Sequence, residues 1–125
     1  MARLLRKDSW VDLNLPGRKS SEIVSSKTGS KNATLRYVEI PVPAEGQTSR
    51  AMHLHRSVEE VIYVLSGEGV FETPDEKLAV HAGDVVVVPG DQPHVTRNVS
   101  NVVLRLMCFF PHPDIAAVTV NLLQE

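Results

Sequence analysis

Two histidines separated by one residue, His53 and His55, are the first side chains in this sequence whose spacing suggests chemistry. Side chains alternate between the two faces of a β-strand, so these imidazoles lie side by side if the segment is extended. Glu60 follows shortly after and opens the β-branched and aromatic run 60–65, which predicts a second strand. If the two strands pair, the carboxylate meets the imidazoles, and this mixed nitrogen and oxygen set suits a divalent metal.

A third imidazole, His94, opens a predicted strand at 94–98. Period two places it on the same face as Thr96 and Asn98, and in a fold whose sheets cover a shared interior it can reach the first cluster. Three imidazoles and one carboxylate leave two positions of an octahedral metal open to water or a bidentate substrate. Such a donor set accepts Fe, Mn, Ni, Zn or Co, so the residues predict a divalent transition metal without identifying it.

Short strands separated by turn residues must position these side chains. The predicted strands are 34–40, 50–55, 60–65, 70–72, 77–80, 85–88, 94–98 and 102–110. No stretch shows a 3.6-residue apolar period, so the sequence predicts an all-β domain. Regularly spaced short strands in about a hundred residues indicate a sandwich, a jelly roll or a small barrel.

The chain of 125 residues has the length of one domain, spanning 1–125. We expect an N-terminal arm and loop at 1–33 with a short strand at 22–24, a core at 34–110 and a C-terminal segment at 111–125. The C-terminal segment is predicted as a last strand at 117–120 rather than a short helix, because β-branched residues are frequent there.

Composition excludes several classes of partner. The formal charge is -2 and the pI is near 6.2, which gives no electrostatic case for nucleic acid or an anionic membrane. No apolar run approaches the roughly 18 residues of a membrane helix, and the basic start lacks the apolar region of a secretory signal. The single cysteine, Cys108, excludes an internal disulfide framework and favours a reducing cytoplasm. It lies in an apolar run, where a buried, unreactive thiol is expected.

The outward face of the predicted strands is too apolar to be left in water. If the histidines and Glu60 face inward, the alternation turns five apolar residues outward: Met52, Leu54, Val61, Tyr63 and Leu65. The N-terminal arm, a second sheet or another subunit must cover them. On this basis we predict a homodimer.

The residues around both clusters resemble the two sequence motifs of the cupins, a family of small jelly-roll proteins. The first motif is a glycine, a short spacer, His-x-His, three or four residues, a glutamate, six residues and a glycine; here it reads Gly46, His53-Leu54-His55, Glu60 and Gly67. The second is a glycine, five residues, Pro-x-Gly, two residues, a histidine, three residues and an asparagine; here it reads Gly83, Pro89, Gly90-Asp91, His94 and Asn98. The resemblance covers roughly residues 46–98.

The resemblance implies a jelly-roll β-barrel with four metal ligands: His53, His55, Glu60 and His94. Glu59 also satisfies the spacer, but the distance to Gly67 favours Glu60 as the carboxylate. Glu59 would also share a face with the outward Val61 and Tyr63.

Two positions depart from the motifs. Gly46 lies one residue too far from His53, and Asp91 stands where the family usually has a glycine. Aspartate tolerates a left-handed backbone better than most residues, so we expect the turn at Asp91 to be kept.

Members of the cupins include dioxygenases, isomerases, decarboxylases or lyases, and sugar-binding or effector-binding domains, and a fold does not choose among them. Our first hypothesis is a metal-dependent enzyme of dioxygenase-like type that acts on a small oxygen-rich molecule at the barrel mouth. The complete set of four motif ligands supports this hypothesis, and the sequence shows no other arrangement of catalytic residues. The alternatives are a metal-dependent isomerase, lyase or decarboxylase, and a non-catalytic small-molecule binding module.

Further candidates depend on which way their side chains face. Tyr37, Glu39 and Tyr63 could move protons in an isomerase or lyase if they point inward. Four arginines are candidates to bind an acidic substrate, although a solvated charge or a rim ion pair is the default expectation for each: Arg36, Arg50, Arg97 and Arg105.

Overall fold

The computed structural model describes residues 1–45 and 50–122 of the chain. These residues form β-strands and short 3-10 turns without an α-helix, as the sequence predicts. The strands are β1 (Val11–Asp12), β2 (Lys19–Val24), β3 (Thr34–Ile40), β4 (His53–His55), β5 (Glu60–Ser66), β6 (Glu68–Glu72), β7 (Lys77–His81), β8 (Val85–Val88), β9 (Val95–Arg97), β10 (Leu104–Phe110) and β11 (Thr119–Asn121). The described part of the chain has no helix of the length and apolarity needed to span a membrane.

The strands form the two layers of a jelly roll. One layer is a six-stranded antiparallel sheet in the order β1-β2-β3-β10-β5-β8. The other consists of the pair β11-β4 and the three-stranded sheet β7-β6-β9. An antiparallel bridge between His53 and His94 joins these two parts.

Strand β5 shows how the sequence directs its side chains into the space between the layers. Ile62 is 3% exposed, whereas its neighbour Tyr63 is 43% exposed. Buried residues of the six-stranded sheet, such as Ile62 and Leu104, share one core with Phe71 and Val80 of the three-stranded sheet. The core thus lies between the layers, as the alternation predicts.

The N-terminal region contains more strand than expected. Residues 19–21, predicted as loop, are instead part of β2, which pairs antiparallel with β3 and buries Ser20 and Ser21. Polar residues conceal this strand in the sequence because its extended conformation is held by hydrogen bonds to β3 rather than by local apolar alternation. Part of the expected arm therefore belongs to the six-stranded sheet.

The C-terminal segment combines both of the alternatives considered for it. Ile115–Val118 forms a 3-10 turn, and the strand follows at Thr119–Asn121, two residues later than predicted. Residues 123–125, like Gly46 of the first motif, lie outside the described residues.

Two glycines of the motifs occupy left-handed turns that differ in their surroundings. Gly67 connects β5 to β6 at φ 87°, and a Cβ there would lie 2.7 Å from the carbonyl oxygen of Val103. Gly83 has φ 93°, but a Cβ there would meet nothing within 4 Å.

We predict that Gly67→Ala lowers the free energy of unfolding by at least about 1 kcal/mol more than Gly83→Ala does. Both alanines carry the left-handed penalty of roughly 1–2 kcal/mol, but only the first also pushes against backbone. Chemical denaturation of the two variants beside the wild type measures the difference. Equal losses would contradict the close approach at Gly67.

Candidate metal centre

Four side chains from three places in the chain meet between the layers. His53 and His55 lie on β4, Glu60 is the first residue of β5, and His94 directly precedes β9. One nitrogen or oxygen atom of each lies within 4.8 Å of those of the others, so the group could hold a metal ion. His55, Glu60 and His94 are buried, while the neighbouring Glu59 is exposed. The structure therefore brings together the four residues that the motifs single out, and it places Glu60 rather than Glu59 among them.

Backbone pairing sets the distance between two of these imidazoles. The amide of His53 donates to the carbonyl oxygen of His94 at 3.0 Å, and the amide of His94 donates to that of His53 at 2.9 Å. Directly opposed residues of an antiparallel pair project their side chains to the same face. The ring centroids of His53 and His94 consequently lie 4.5 Å apart.

The turn before His94 is tied to the turn after His55. Asp91 adopts φ 68°, its amide donates to the carbonyl oxygen of His55 at 2.9 Å, and its Oδ1 accepts from the amide of Ser57 at 3.0 Å. Gly90 lies so close to this turn that a Cβ would come within 2.8 Å of the Val58 nitrogen. The aspartate that departs from the motif thus keeps the left-handed turn and adds a side-chain hydrogen bond.

Hydrogen bonds define which nitrogens of two histidines carry the protons. The Nδ1 of His94 donates to the carbonyl oxygen of Gln92 at 2.7 Å. The hydroxyl of Thr119 donates to the carbonyl oxygen of Ile115 at 2.8 Å, so its oxygen accepts from the Nδ1 of His55, also at 2.8 Å. In the neutral form of each ring, the proton on Nδ1 leaves a lone pair on Nε2.

These lone pairs converge on a carboxylate. Oε1 of Glu60 lies 2.9 Å from Nε2 of His94 and 3.3 Å from Nε2 of His55. Nε2 of His55 is also buried without a hydrogen-bond partner among the described residues. Neutral imidazole and carboxylate lone pairs repel at such distances unless a proton or a cation lies between them.

The charge states of the cluster suit a cation. Burial raises the pKa of Glu60, but the adjacent imidazoles of His55 and His94 outweigh it and lower the pKa to about 2. Burial, reinforced by the neighbouring imidazole of His94, lowers the pKa of His53 to about 3. At neutral pH the cluster therefore offers a carboxylate and a neutral imidazole, and this donor set fits a divalent transition metal.

The cluster opens onto a cavity of about 380 Å³ between the layers. Its apolar wall is formed by Leu13, Leu15, Val38, Ile40, Ile62, Leu106, Phe110 and Ala116. Its remaining lining, apart from the four clustered side chains, is Arg18, Ser20, Arg36, Arg50, Thr96, Cys108, Thr119 and Asn121. Pockets of this size bind small organic molecules.

The proton carriers considered from the sequence do not reach this cavity. Strand β3 turns Arg36, Val38 and Ile40 inward, so Tyr37 and Glu39 lie on its opposite face. There the hydroxyl of Tyr37 donates to Oε1 of Glu39 at 2.8 Å. Tyr63 lies on the same outer face of the sheet, because its neighbour Ile62 takes the inward position.

The four candidate arginines separate into two groups. Arg36 and Arg50 line the cavity, whereas Arg97 and Arg105 do not. Arg97 donates to Oε2 of Glu72 at 2.7 Å, and Arg105 lies 3.8 Å from Oε1 of Glu39. For these two, the default expectation of an ion pair is confirmed.

Sequence reasoning missed two polar residues of the site, Arg18 and Thr119. Arg18 lies in a stretch interpreted as loop, and Thr119 contacts His55 only because β11 pairs with β4. Neither has a local sequence signal, since both depend on pairing between distant segments. Cys108 is buried as predicted, and burial together with the charge of Glu60 raises the pKa of its thiol.

Comparison with known proteins places these features in a family context. A family model for the Cupin domain matches residues 42–110. An uncharacterized protein, MJ1618 of Methanocaldococcus jannaschii, is 36% identical over 78 residues, which cover 62% of this chain and 61% of that protein. An oxalate-binding protein of Thermotoga maritima is 28% identical over 82 residues, which cover 66% of each. The match thus spans less than two thirds of either relative.

A solved structure shows the same fold. The nucleoside dehydratase Pac13 of Streptomyces superposes with a TM-score of 0.76 over 98% of this chain and 92% of its own, at 15% identity. At that identity the likeness establishes the architecture alone.

We predict that Thr119→Val weakens binding of Co(II) by about 10–100-fold, because His55 loses the acceptor that holds its ring and tautomer. His94→Ala, which removes a donor outright, should lose stoichiometric binding. Calorimetric titration of metal-stripped protein measures both effects.

Thr96→Val is the matched control, since Thr96 lines the same cavity and its side chain forms no hydrogen bond with the cluster among the described residues. It should bind Co(II) like the wild type. One full equivalent of Co(II) bound by His94→Ala would refute the site.

Proposed function

Because this chain belongs to the cupin domain family, we propose that it is a metal-dependent enzyme of dioxygenase-like type, acting on a small oxygen-rich molecule in its cavity. The observation that carries this proposal is the convergence of three imidazoles and Glu60 at the wall of a cavity large enough for such a molecule. His53, His55, Glu60 and His94 would hold the metal. A bound divalent ion supplies Lewis-acid chemistry and, if it is redox-active, electron transfer to the ligand.

The titratable groups of the cavity favour a reaction that needs no protein proton carrier. Outside the cluster, the described lining contains only arginines and Cys108 as titratable groups. Guanidinium groups stay protonated at neutral pH, and the raised pKa of Cys108 keeps its thiol protonated as well. Isomerisation or elimination by a protein acid or base requires a group that exchanges protons near neutral pH, so this lining supports oxidation over an isomerase or a lyase of that kind.

A second candidate is a binding module without turnover. It is favoured by the Thermotoga maritima relative, which is named for binding oxalate and not for a reaction. The same cavity and metal donors would serve it, with the ligand held rather than converted.

We predict that the Fe(II)-loaded protein consumes O₂ in proportion to the loss of a small chelating substrate, found by screening catechols, enediols and 2-hydroxy acids. Oxygen uptake in an electrode, with product analysis, measures this. The Zn(II)-loaded protein is the control, because zinc holds the same ligands but has no redox chemistry. Anaerobic turnover would favour a lyase or isomerase, and binding without product in either atmosphere would favour the binding module.

We also propose a homodimer, formed through the outer face of the six-stranded sheet, and a cytoplasmic location consistent with the single free cysteine. Cross-strand registers align two rows of mostly apolar residues on this face: Leu35, Phe109, Val61 and Val87, then Tyr37, Met107, Tyr63 and Val85. The edge strand β8 leaves Val85 and Val87 54% and 59% exposed. Met52 and Leu54, expected on the same surface, are half-buried in the other layer and do not contribute.

We predict that light scattering at micromolar concentration gives twice the 13.8 kDa mass of the chain. Val87→Lys should give the mass of a monomer, because burying a charge in an apolar interface costs desolvation free energy. Val99→Lys, at a 65% exposed valine outside the two rows, should remain dimeric. A strictly monomeric wild type would remove the proposal.

A further inference from the structure

Two arginines, Arg18 and Arg50, line the cavity without an acidic partner among the described residues. Arg18 donates to the carbonyl oxygen of Pro16 at 2.8 Å, and Arg50 donates to that of Thr96 at 2.6 Å. Neither forms a salt bridge with any described residue. The third cavity arginine, Arg36, is different, because Glu22 accepts from it at 3.1 Å.

The backbone at Gly17 brings the two unpaired guanidinium groups to one side of the cavity. The side chain of Arg50 passes directly over Gly17, where a Cβ would lie 2.6 Å from its Cδ. Arg18 is the next residue in the chain. Gly17 adopts φ 74°, so its missing side chain permits both the turn and the passage of Arg50.

The two guanidinium groups place positive charge in the cavity that no carboxylate among the described residues pairs with. Burial, together with the charges of Arg18 and Arg97, lowers the pKa of Arg50 to about 10. Burial and the charge of Arg36 lower the pKa of Arg18. Both groups remain protonated at neutral pH, and two half-buried cations without a counter-ion among the described residues are stabilised by an anion that binds beside them.

The two arginines share the cavity with the clustered histidines. Arg18, Arg50, His53, His55 and His94 all line it. Apolar side chains, among them Leu13 and Leu15 from the N-terminal region, form much of the remaining wall. One cavity therefore combines a cationic side, an apolar wall and the metal donors.

We infer that Arg18 and Arg50 form a carboxylate-binding subsite beside the metal centre. The ligand is then a small carboxylic acid with a second set of oxygen donors: its carboxylate meets the two guanidinium groups, and its carbon body lies on the apolar wall. The planar fork of a guanidinium group matches the two oxygens of a carboxylate. The inference rests on the proposed function for the metal-binding end of the ligand, but not for the end that meets the arginines.

The test uses dicarboxylates from oxalate to adipate as probes, titrated calorimetrically into metal-free and Zn(II)-loaded protein. The tightest member should bind Arg18→Gln and Arg50→Gln about 10–100-fold more weakly than wild type, the usual cost of losing a charged hydrogen-bond pair. Its monoamide should bind wild type correspondingly more weakly. Arg18→Lys and Arg50→Lys, which keep the charge, should recover part of the affinity and show that the loss is not a folding defect.

Arg105→Gln is the control, since Arg105 lies outside the cavity and its side chain is 47% exposed. It should bind the probes as wild type does, and every arginine variant should still bind one equivalent of Zn(II). Unchanged dicarboxylate affinity in both glutamine variants, with zinc bound, would overturn the subsite and leave the proposed function standing. Arginine-dependent binding of dicarboxylate without any zinc binding would support the subsite while refuting the metal site.

Discussion

The reciprocal backbone hydrogen bonds between His53 and His94 are the constraint on which the site depends. They join the two-stranded and three-stranded sheets into one layer and also place two imidazoles on the same face, 4.5 Å apart. The contact of Asp91 with the turn after His55 reinforces the same junction. The same backbone hydrogen bonds therefore close the fold and hold the donor side chains together, because separating the strands at this point would also separate the donors.

The positions of the protons on His55 and His94 determine which atoms of the cluster could bind a cation. Carbonyl and hydroxyl oxygens bind the Nδ1 hydrogens of His55 and His94, so in the neutral form of each ring the Nε2 lone pair is directed at the ionised carboxylate of Glu60. Arg18 and Arg50 contribute positive charge to the same cavity, because they line it without a carboxylate partner among the described residues. The interior is thus arranged for a cation at one place and an anion at another.

The fold class could be predicted from local periodicity, and the four candidate donors could be predicted from residues whose spacing resembles the cupin motifs. Alternation on β4 places two histidines together, and the spacing to Gly67 selects Glu60 over Glu59, which is exposed. Strand β2 could not be predicted, because polar residues such as Ser20 are held extended by β3 rather than by their own pattern. The facing of Tyr37 was open for a related reason: alternation states that neighbours face opposite ways, not which of them faces the cavity.

The sequence by itself determined an all-β chain and, through its resemblance to the cupin motifs, a His, His, Glu and His set that could hold a divalent metal. Tertiary structure alone decided that Arg36 pairs with Glu22, whereas Arg18 and Arg50 have no acidic partner in the described part of the chain. It also decided that Thr119 orients His55 and that Tyr37, Glu39 and Tyr63 lie outside the cavity. The physical reason is the range of the interactions. Periodicity acts between neighbours in the chain, whereas charge pairing and proton placement depend on atoms that meet only when distant strands pair.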